Sequence, residues 1–313
     1  MARHPLLFLA WFEISLKFVL KRHKPDLLFS PDGFLPISSG VPAVSVIHDL
    51  NFEHYPKDLP WSVITYYQNM FPRFARTARR IATVSEFSKQ DIIKHYGIDS
   101  NKIDVVYNGC SDYFRPLDEI SRKSIREKYT GDAEYFIFVG SLHPRKNLVN
   151  LFKAFDLFKQ TDQNGIKLLL AGARMWWTNE IKDTFGSMKY KDDVIFTGRV
   201  SDTDLSGLMA SALALTYVSY FEGFGIPILE AFHCGTPVIT SGISSMPEVA
   251  GDAAILVDPF NTESIADAMR KVANDPVLRN NLIEKGIVRK ELFSWEKTAG
   301  LVWNTIEKSL LPL

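Results

Sequence analysis

Glu222 and Glu230 stand eight positions apart in Tyr220-Phe-Glu-Gly-Phe-Gly-Ile-Pro-Ile-Leu-Glu230, which runs on into Ala231-Phe-His-Cys-Gly235. The apolar run Leu213 to Val218 before them reads as a buried parallel strand. Gly223 and Gly225 permit a tight turn with close backbone approach to a ligand. Pro227 suits the first turn of a helix and Gly235 its end. Glu222 therefore sits in the loop before a helix, and Glu230 about one turn inside it. A helix opening takes phosphate, and the backbone N–H groups of Phe224, Gly225 and Ile226 are placed to meet phosphate or sugar. Two acids flanking a site for phosphate alone would repel it. They suit a phosphate that carries sugars on both sides, because carboxylates accept hydrogen bonds from sugar hydroxyls.

A second group lies in Phe138-Val-Gly-Ser-Leu-His-Pro-Arg-Lys-Asn147. Arg145 and Lys146 fall between a strand end and a helix start, where ligands of α/β proteins bind. Arg offers a bidentate fork and Lys a point charge, which together neutralise a diphosphate leaving group. An exposed basic turn is the plainer reading. Gly140 lets a diphosphate approach the chain closely, or is an ordinary strand-end turn.

With these two segments on the page, the chain resembles the retaining glycosyltransferases of family 4, which have the GT-B fold. The Glu-x7-Glu spacing matches that family's signature, and Gly140 to Asn147 falls where the family carries an Arg-Lys diphosphate clamp. Phe196-Thr-Gly-Arg-Val200 is similar to its nucleobase-contacting turn. Ser245-Met-Pro-Glu-Val-Ala-Gly251 followed by Leu256-Val-Asp-Pro259 is a fourth match. The resemblance runs from about Asp26 to the C-terminus.

It implies an α/β protein of GT-B type, with two Rossmann-like domains facing a cleft, and a nucleotide-diphosphate sugar as donor. Donor contacts would come from Gly140, Ser141, Arg199, Val200, Phe224, Gly225, Ile226 and Glu230, the last on the ribose. The catalytic group would be His48, Arg145, Lys146 and Glu222, with Glu222 on the donor sugar's hydroxyls. His48, in Val44-Ser-Val-Ile-His-Asp-Leu50, matches a family histidine facing the donor sugar; a lone strand-end histidine is more simply structural. The implied reaction is transfer of a hexose with retention to a glycan or lipid-linked acceptor. The departing phosphate takes the acceptor's proton on the face of attack, so no carboxylate nucleophile is needed. Ile47-His-Asp-Leu-Asn-Phe-Glu-His-Tyr-Pro56 is similar to mannosyltransferase-like members, which leans the donor towards GDP-mannose.

Parallel sheets must hold these loops. Strands are expected over 26–30, 43–48, 80–84 and 103–107, then 135–140, 167–171, 193–197, 213–218, 237–240 and 254–257, with helical patterns such as 147–159 and 265–274 between them. The charged stretch Pro116–Gly131 reads as the linker, giving a first domain over 1–117 and a second over 118–294. A final helix over 295–313, capped by Ser294, would in this family cross back onto the first domain.

The start of the chain departs from the family. Its first glycine is Gly33, whereas members open with a strand and a glycine-rich turn lining the acceptor side. The first domain is accordingly expected to be incomplete, with a strand such as Ala43–His48 left at a sheet edge. The alternative function is then a truncated, inactive nucleotide-sugar-binding protein. Near the start, Glu13, Lys17 and Lys21 interrupt apolar residues at four-residue intervals, which reads as the solvent stripe of a core-facing helix. An interfacial membrane helix is the other reading.

Several signals point elsewhere and are set aside. Asp202-Thr-Asp204 looks like an Asp-x-Asp metal motif, but Ser201 with Asp204 makes a helix cap. Arg73, Arg76, Arg79 and Arg80 would meet anionic lipid or a phosphate, or form a solvated helix face. Ser85, with Ser88, is either a site residue or an N-cap, and Asp49 orients His48 or caps the next turn. Trp176-Trp177 lines the cleft or packs between helices. No His/Cys/carboxylate cluster has metal spacing in the sequence, so neither metal nor cofactor is expected. Lys plus Arg equals Asp plus Glu at 36 each, which points to no nucleic-acid partner. Two distant cysteines, Cys110 and Cys234, suggest no disulfide framework and a cytoplasmic setting, with a peripheral contact at the inner face of the membrane. The absence of any Gly-x-Gly-x-x-Gly argues against a dinucleotide oxidoreductase.

Overall fold

Apolar runs become parallel strands in the computed structural model, which describes residues 5–162, 164–175 and 177–311. In chain order they are β1 Leu28–Ser30, β2 Ala43–Val46, β3 Arg80–Thr83, β4 Ile103–Val105, β5 Tyr135–Val139, β6 Lys167–Ala171, β7 Val194–Gly198, β8 Ala214–Tyr217, β9 Val238–Ser241 and β10 Ile255–Val257. The chain divides into two units, residues 1–108 with 295–313, and residues 109–294. Each holds a parallel sheet covered by helices.

The first unit carries a four-stranded sheet in the order β1-β2-β3-β4. One face is covered by an aromatic core in which Phe34, Phe71 and Phe74 pack edge to face at 5.5–5.9 Å and Phe52 is tilted against Phe71 at 4.9 Å. On Val44, Ala82 and Val106 lie Val302 and Ile306 of the helix Trp295–Leu310. Thr298 Oγ1 donates to Tyr107 O at 2.6 Å, and Lys308 Nζ meets Asp104 at 2.8 Å, tying both ends of that helix to the sheet. The edge expected at Ala43–His48 lies instead at β1, because Leu28–Ser30 pairs in register with Ala43–Ser45 and covers β2.

The N-terminal helix is turned over relative to expectation. It runs as Pro5–Ala10, a π-helical segment Trp11–Leu16, and Lys17–His23. Glu13 faces the protein, where Oε1 accepts from Ile37 N at 2.6 Å and Oε2 from Ser38 Oγ at 2.6 Å. Lys17 Nζ donates to the same Ser38 Oγ at 2.9 Å. Phe8 and Phe12 stack on Phe34, each at 5.5 Å. Leu7, Trp11, Ile14 and Phe18 are exposed. The helix is apolar on both faces, and the loop amides at Ile37 and Ser38 decide which side the carboxylate takes, since backbone donors need acceptors.

In the second unit a six-stranded parallel sheet has the order β10-β9-β8-β5-β6-β7. Phe136, Phe138, Leu168, Leu170 and Ala214 form one core with the helices Leu148–Lys159 and Thr262–Asn274. The charged stretch 116–131 is not an open linker. Asp118 caps a helix over Glu119–Thr130, and Gly131 ends it in the left-handed conformation. Residues 109–117 also go with the second unit: Ser206 Oγ donates to Tyr113 O at 2.7 Å, and Cys110 is buried. The chain thus passes between units at Asn108 rather than after Leu117.

Candidate functional site

Sheet order decides which loops of the second unit meet. From β5 the chain adds β6 and β7 on one side, then returns to place β8 directly against the other side of β5. The strands are parallel, so the loops after β5 and β8 leave the same end of the sheet, flanking the point where the order reverses. Open α/β sheets bind ligands at such a point. This brings residues about 76 positions apart into contact.

At that point Glu222 bridges two cations. Lys146 Nζ donates to its Oε1 at 2.6 Å and Arg145 Nη1 to its Oε2 at 2.5 Å. Lys146 Nζ also donates to Tyr217 Oη at 2.6 Å, lying 4.7 Å from the centre of that ring. Arg145 reaches Phe221 O at 3.1 Å. Lys146 and Glu222 are 7% and 6% exposed. Burial alone would raise the Glu222 carboxyl, but Lys146 and Arg145 hold it at about 2. The Tyr217 phenol is pushed well up by burial and by Glu222, so it stays protonated. Two cations and one anion leave the cluster with a net positive charge.

Local sequence supplies the geometry. Pro144–Lys146 is a 3-10 turn, and Asn147 follows in the left-handed conformation, its Nδ2 donating to Val218 O and Pro259 O at 2.9 and 2.7 Å. These bonds lock the loop after β5 to the end of β8. Gly140 has φ +141°, and a Cβ there would make ordinary van der Waals contact with Lys146 Cε at 3.5 Å. Gly172, after β6, packs its Cα against Gly140, and a Cβ on it would fall 1.8 Å from Gly140 O. Ser141 follows on the exposed side of the loop.

The helix after β8 spans Ile226–Cys234, begins at Gly225 with φ +107°, and has Pro227 in its first turn. Pro227 has no N–H, and Ile228 N donates back to Gly225 O at 2.9 Å, so the opening presents the N–H groups at Gly225 and Ile226. Ser245 Oγ, fully buried, lies 2.8 and 2.9 Å from the carbonyls of Glu222 and Phe224. Ser244 Oγ accepts from Glu222 N at 3.0 Å. This Ser244–Ser245 brace, like Tyr217, was not among the residues singled out from the sequence, although the motif beginning at Ser245 was. Glu230 lies one turn into the helix, its carboxyl pushed up to about 7 by burial and by Asp202. Lys146 acts on it in the opposite direction, which places Glu230 within the same field.

Other residues fall as follows. Arg199 and Val200 lie in the loop after β7, at the same end of the sheet. Ser201 Oγ accepts from Asp204 N at 3.1 Å, and Asp204 pairs with Lys128 at 2.9 Å, so Asp204 serves as cap and ion-pair partner. Trp177 packs among Phe152, Phe185 and Phe196, while Trp176 lies outside the described residues. His48 belongs to the first unit, where its Nε2 lies 3.0 Å from Pro31 O. Asp49 Oδ1 accepts from Asn51 N at 2.9 Å in the turn before the helix Asn51–His54, and Ser85 Oγ accepts from Ser88 N at 3.0 Å as an N-cap. Arg80 pairs with Asp104 at 2.6 Å, while Arg73 and Arg76 are exposed. The first unit also gathers His54, Asp91 and His95 into one cluster. Sequence spacing does not show it, because His54 is 37 positions from Asp91; only the Asp91-x3-His95 pair on one helix was readable.

The profile of "Glycosyl transferases group 1" matches residues 121–289, and that of "Glycosyltransferase Family 4" matches residues 1–112. O-antigen chain mannosyltransferase B of Escherichia coli is 29% identical over 298 residues, covering 94% of this chain and 78% of that protein. O-antigen chain mannosyltransferase RfbU of Salmonella typhimurium is 31% identical over 230 residues, covering 74% of this chain and 60% of that one. Among solved structures, Anabaena HepE in complex with UDP and glucose superposes with a TM-score of 0.79 at 19% identity, over 93% of this chain and 80% of that one. That likeness carries the GT-B fold.

Proposed function

The chain belongs to the group 1 glycosyl transferases and is a glycosyltransferase of family 4 type, and from that premise we propose that it moves mannose, with retention, from GDP-mannose to a glycan or lipid-linked acceptor. The observation that carries the reading is the Glu222 carboxylate held by Arg145 and Lys146 beside the opening of the helix Ile226–Cys234. A nucleoside diphosphate leaving group needs positive charge where its own negative charge grows. The two side chains and the helix opening supply it in a largely dry setting. The lean to mannose and to polysaccharide building rests on the names of the two O-antigen relatives.

In this reading the bond between the sugar's anomeric carbon and the diphosphate oxygen breaks as the acceptor oxygen attacks from the same face. The acceptor's proton passes to the departing phosphate oxygen. Glu222 shifts from the cations to the sugar hydroxyls, leaving Arg145 and Lys146 to the diphosphate. Gly140 and Ser141 line its approach, Phe224, Gly225 and Ile226 present backbone donors, Glu230 takes the ribose, and Arg199 with Val200 takes the base. The role the family gives His48 is part of this proposal. It is tested by His48→Ala, which should lower turnover more than donor affinity. Because the cations already stand in place, no metal is required, and turnover should survive a chelator.

Membrane contact belongs to the same proposal. Among the described residues no helix is long and apolar enough to cross a membrane. The exposed Leu7, Trp11, Ile14 and Phe18 stripe, with Lys21 and Arg22 beside it, suits a peripheral seat on an anionic surface where a lipid-linked acceptor is met. The decisive experiment is calorimetry against GDP- and UDP-sugars, followed by transfer to acceptors from each class. GDP-mannose binding with transfer supports the proposal. Binding with neither transfer nor hydrolysis would leave a nucleotide-sugar-binding protein, and no binding at all would remove the site.

A further inference from the structure

The first unit holds a cluster that glycosyl transfer does not use. His54 Nε2 lies 2.9 Å from both carboxylate oxygens of Asp91. His95 Nδ1 lies 3.0 Å from Asp91 Oδ1, and one ligand atom from each residue lies within 4.8 Å of the others. From this convergence of two imidazoles on one buried carboxylate we propose a binding site for a divalent transition-metal ion, with zinc as its natural occupant by donor type.

The scaffold is firm. Asp91 and His95 are one turn apart on the helix Glu86–Tyr96, and His54 ends the short helix Asn51–His54. Phe52, Ile92 and Tyr96 of the same two helices are buried in one core cluster, so neither helix turns independently. The imidazole rings stand 4.8 Å apart at 71°. Zinc bonds nitrogen and carboxylate oxygen at about 2.0–2.2 Å, so an Asp91 oxygen and an imidazole nitrogen about 3 Å apart subtend roughly a right angle at such an ion, and the three ligand atoms, within 4.8 Å of one another, would close on it. The Asp91 side chain is 7% exposed, while His54 and His95 are 31% and 29% exposed, which leaves one side open for entry and for water as a further ligand.

Charge favours a cation there. Among the described residues the ion pairs of Asp91 are with these two histidines, neither of which carries a fixed charge. A second carboxylate lies close by, since Tyr96 Oη donates to Glu53 Oε1 at 2.8 Å. Two imidazole nitrogens with one oxygen select zinc, nickel or copper over magnesium or calcium, which prefer all-oxygen sites. A hydrogen-bonded triad that merely fastens one helix to the other is the competing account, and it predicts no metal affinity.

The test uses the full chain, stripped with a chelator that is then removed, titrated with zinc chloride and separately with magnesium chloride in a calorimeter. The expected result is one equivalent of zinc bound and no magnesium. His54→Gln and His95→Gln keep a hydrogen bond to Asp91. Each should weaken zinc binding at least about 100-fold, because the loss of outer-shell partners alone costs 10–100-fold. Circular dichroism of both variants should match the parent. A second readout does not depend on variants folding: cobalt(II) added to the parent chain should give visible d–d bands that zinc abolishes. The proposal is overturned if the parent shows no saturable zinc binding, if cobalt gives no such bands, or if folded variants bind zinc as the parent does.

Discussion

Replacing Glu222 with Gln keeps the side chain's shape and removes its charge, which tests the centre of the site in two independent ways. The first is stability. The carboxyl is held at about 2 instead of its ordinary 4.5, a difference worth roughly 3 kcal/mol at 1.36 kcal/mol per tenfold. Because the folded value is depressed, that stability is fully present above about pH 4.5 and is lost as pH falls towards 2. Glu222→Gln should therefore lower the second unit's stability at pH 7 by roughly 3 kcal/mol, in line with the cost of breaking a buried pair. It should also flatten the parent's decline between about pH 4.5 and 2. An amide sets its oxygen against one cation and its NH2 donor against the other, and Lys146, at 7% exposed, is poorly placed to find water instead. The second test is function. Without the carboxylate the cluster gains one unit of positive charge, so GDP should bind the variant more tightly than the parent, while transfer falls by about 100-fold or more. Scanning calorimetry with the two units' transitions separated, with and without GDP, reads both effects. GDP should raise the variant's transition more than the parent's. A variant as stable as the parent that binds GDP more weakly would refute the reasoning.

Four further substitutions bear on the same loops. Gly172→Ala places a methyl group 1.8 Å from Gly140 O, backbone against backbone, and should cost about 4 kcal/mol or prevent folding; an unchanged melting temperature would contradict the packing. Tyr217→Phe removes the hydroxyl beside Lys146 Nζ and should cost about 1 kcal/mol, read by urea unfolding of the second unit. Ser245→Ala removes the hydroxyl shared between the Glu222 and Phe224 carbonyls and should weaken GDP binding several-fold without abolishing folding; calorimetry that shows parental affinity would exclude a bracing role. Glu230 carries a carboxyl raised to about 7, so its ionisation opposes the folded state, and this contribution is lost to stability as pH rises from 4.5 through 7. Glu230→Gln should then be the more stable protein at pH 8 and show no such slope, which a pH series of melts would detect.

Much of the architecture was legible because buried parallel strands announce themselves. Runs such as Tyr135–Val139 and Lys167–Ala171 are too apolar to be anything but interior, and glycines at Gly140, Gly172 and Gly198 mark where they end. The pairing of those strands was less legible. Nothing in the residues of β8 says that it lies against β5, yet that pairing is what brings Lys146 to Glu222. Tyr217 and Ser244 went unread for the same reason, since a strand tyrosine and a loop serine have no local signature and gain their partners only through the sheet.

The N-terminal helix shows how a sound rule fails. Charged residues at four-residue spacing normally face water, and Glu13 with Lys17 has that spacing. The rule compares the residues of one helix with each other, but the outcome depended on the loop beside it. The half-buried Ile37 presents a backbone donor that an apolar side chain would leave without its acceptor, at up to about 1–3 kcal/mol, while the exposed Ser38 adds a hydroxyl donor. Phe8, Phe12 and Leu20 supply enough apolar surface for the inward face, so Trp11, Ile14 and Phe18 are left outward. Glu13 and Glu222 are thus alike in kind: each is an acid turned inward because cations or amides wait there. Composition cannot separate such acids from solvated ones, since the deciding groups lie 24 and 76 positions away in the chain. Glu13→Ala should for that reason destabilise the first unit more than removing the exposed Phe18, which ordinary surface reasoning would rank the other way. Paired melts of Glu13→Ala and Phe18→Ala settle the order, and a larger loss from Phe18→Ala would show that the stripe facing outward is the side that holds the helix.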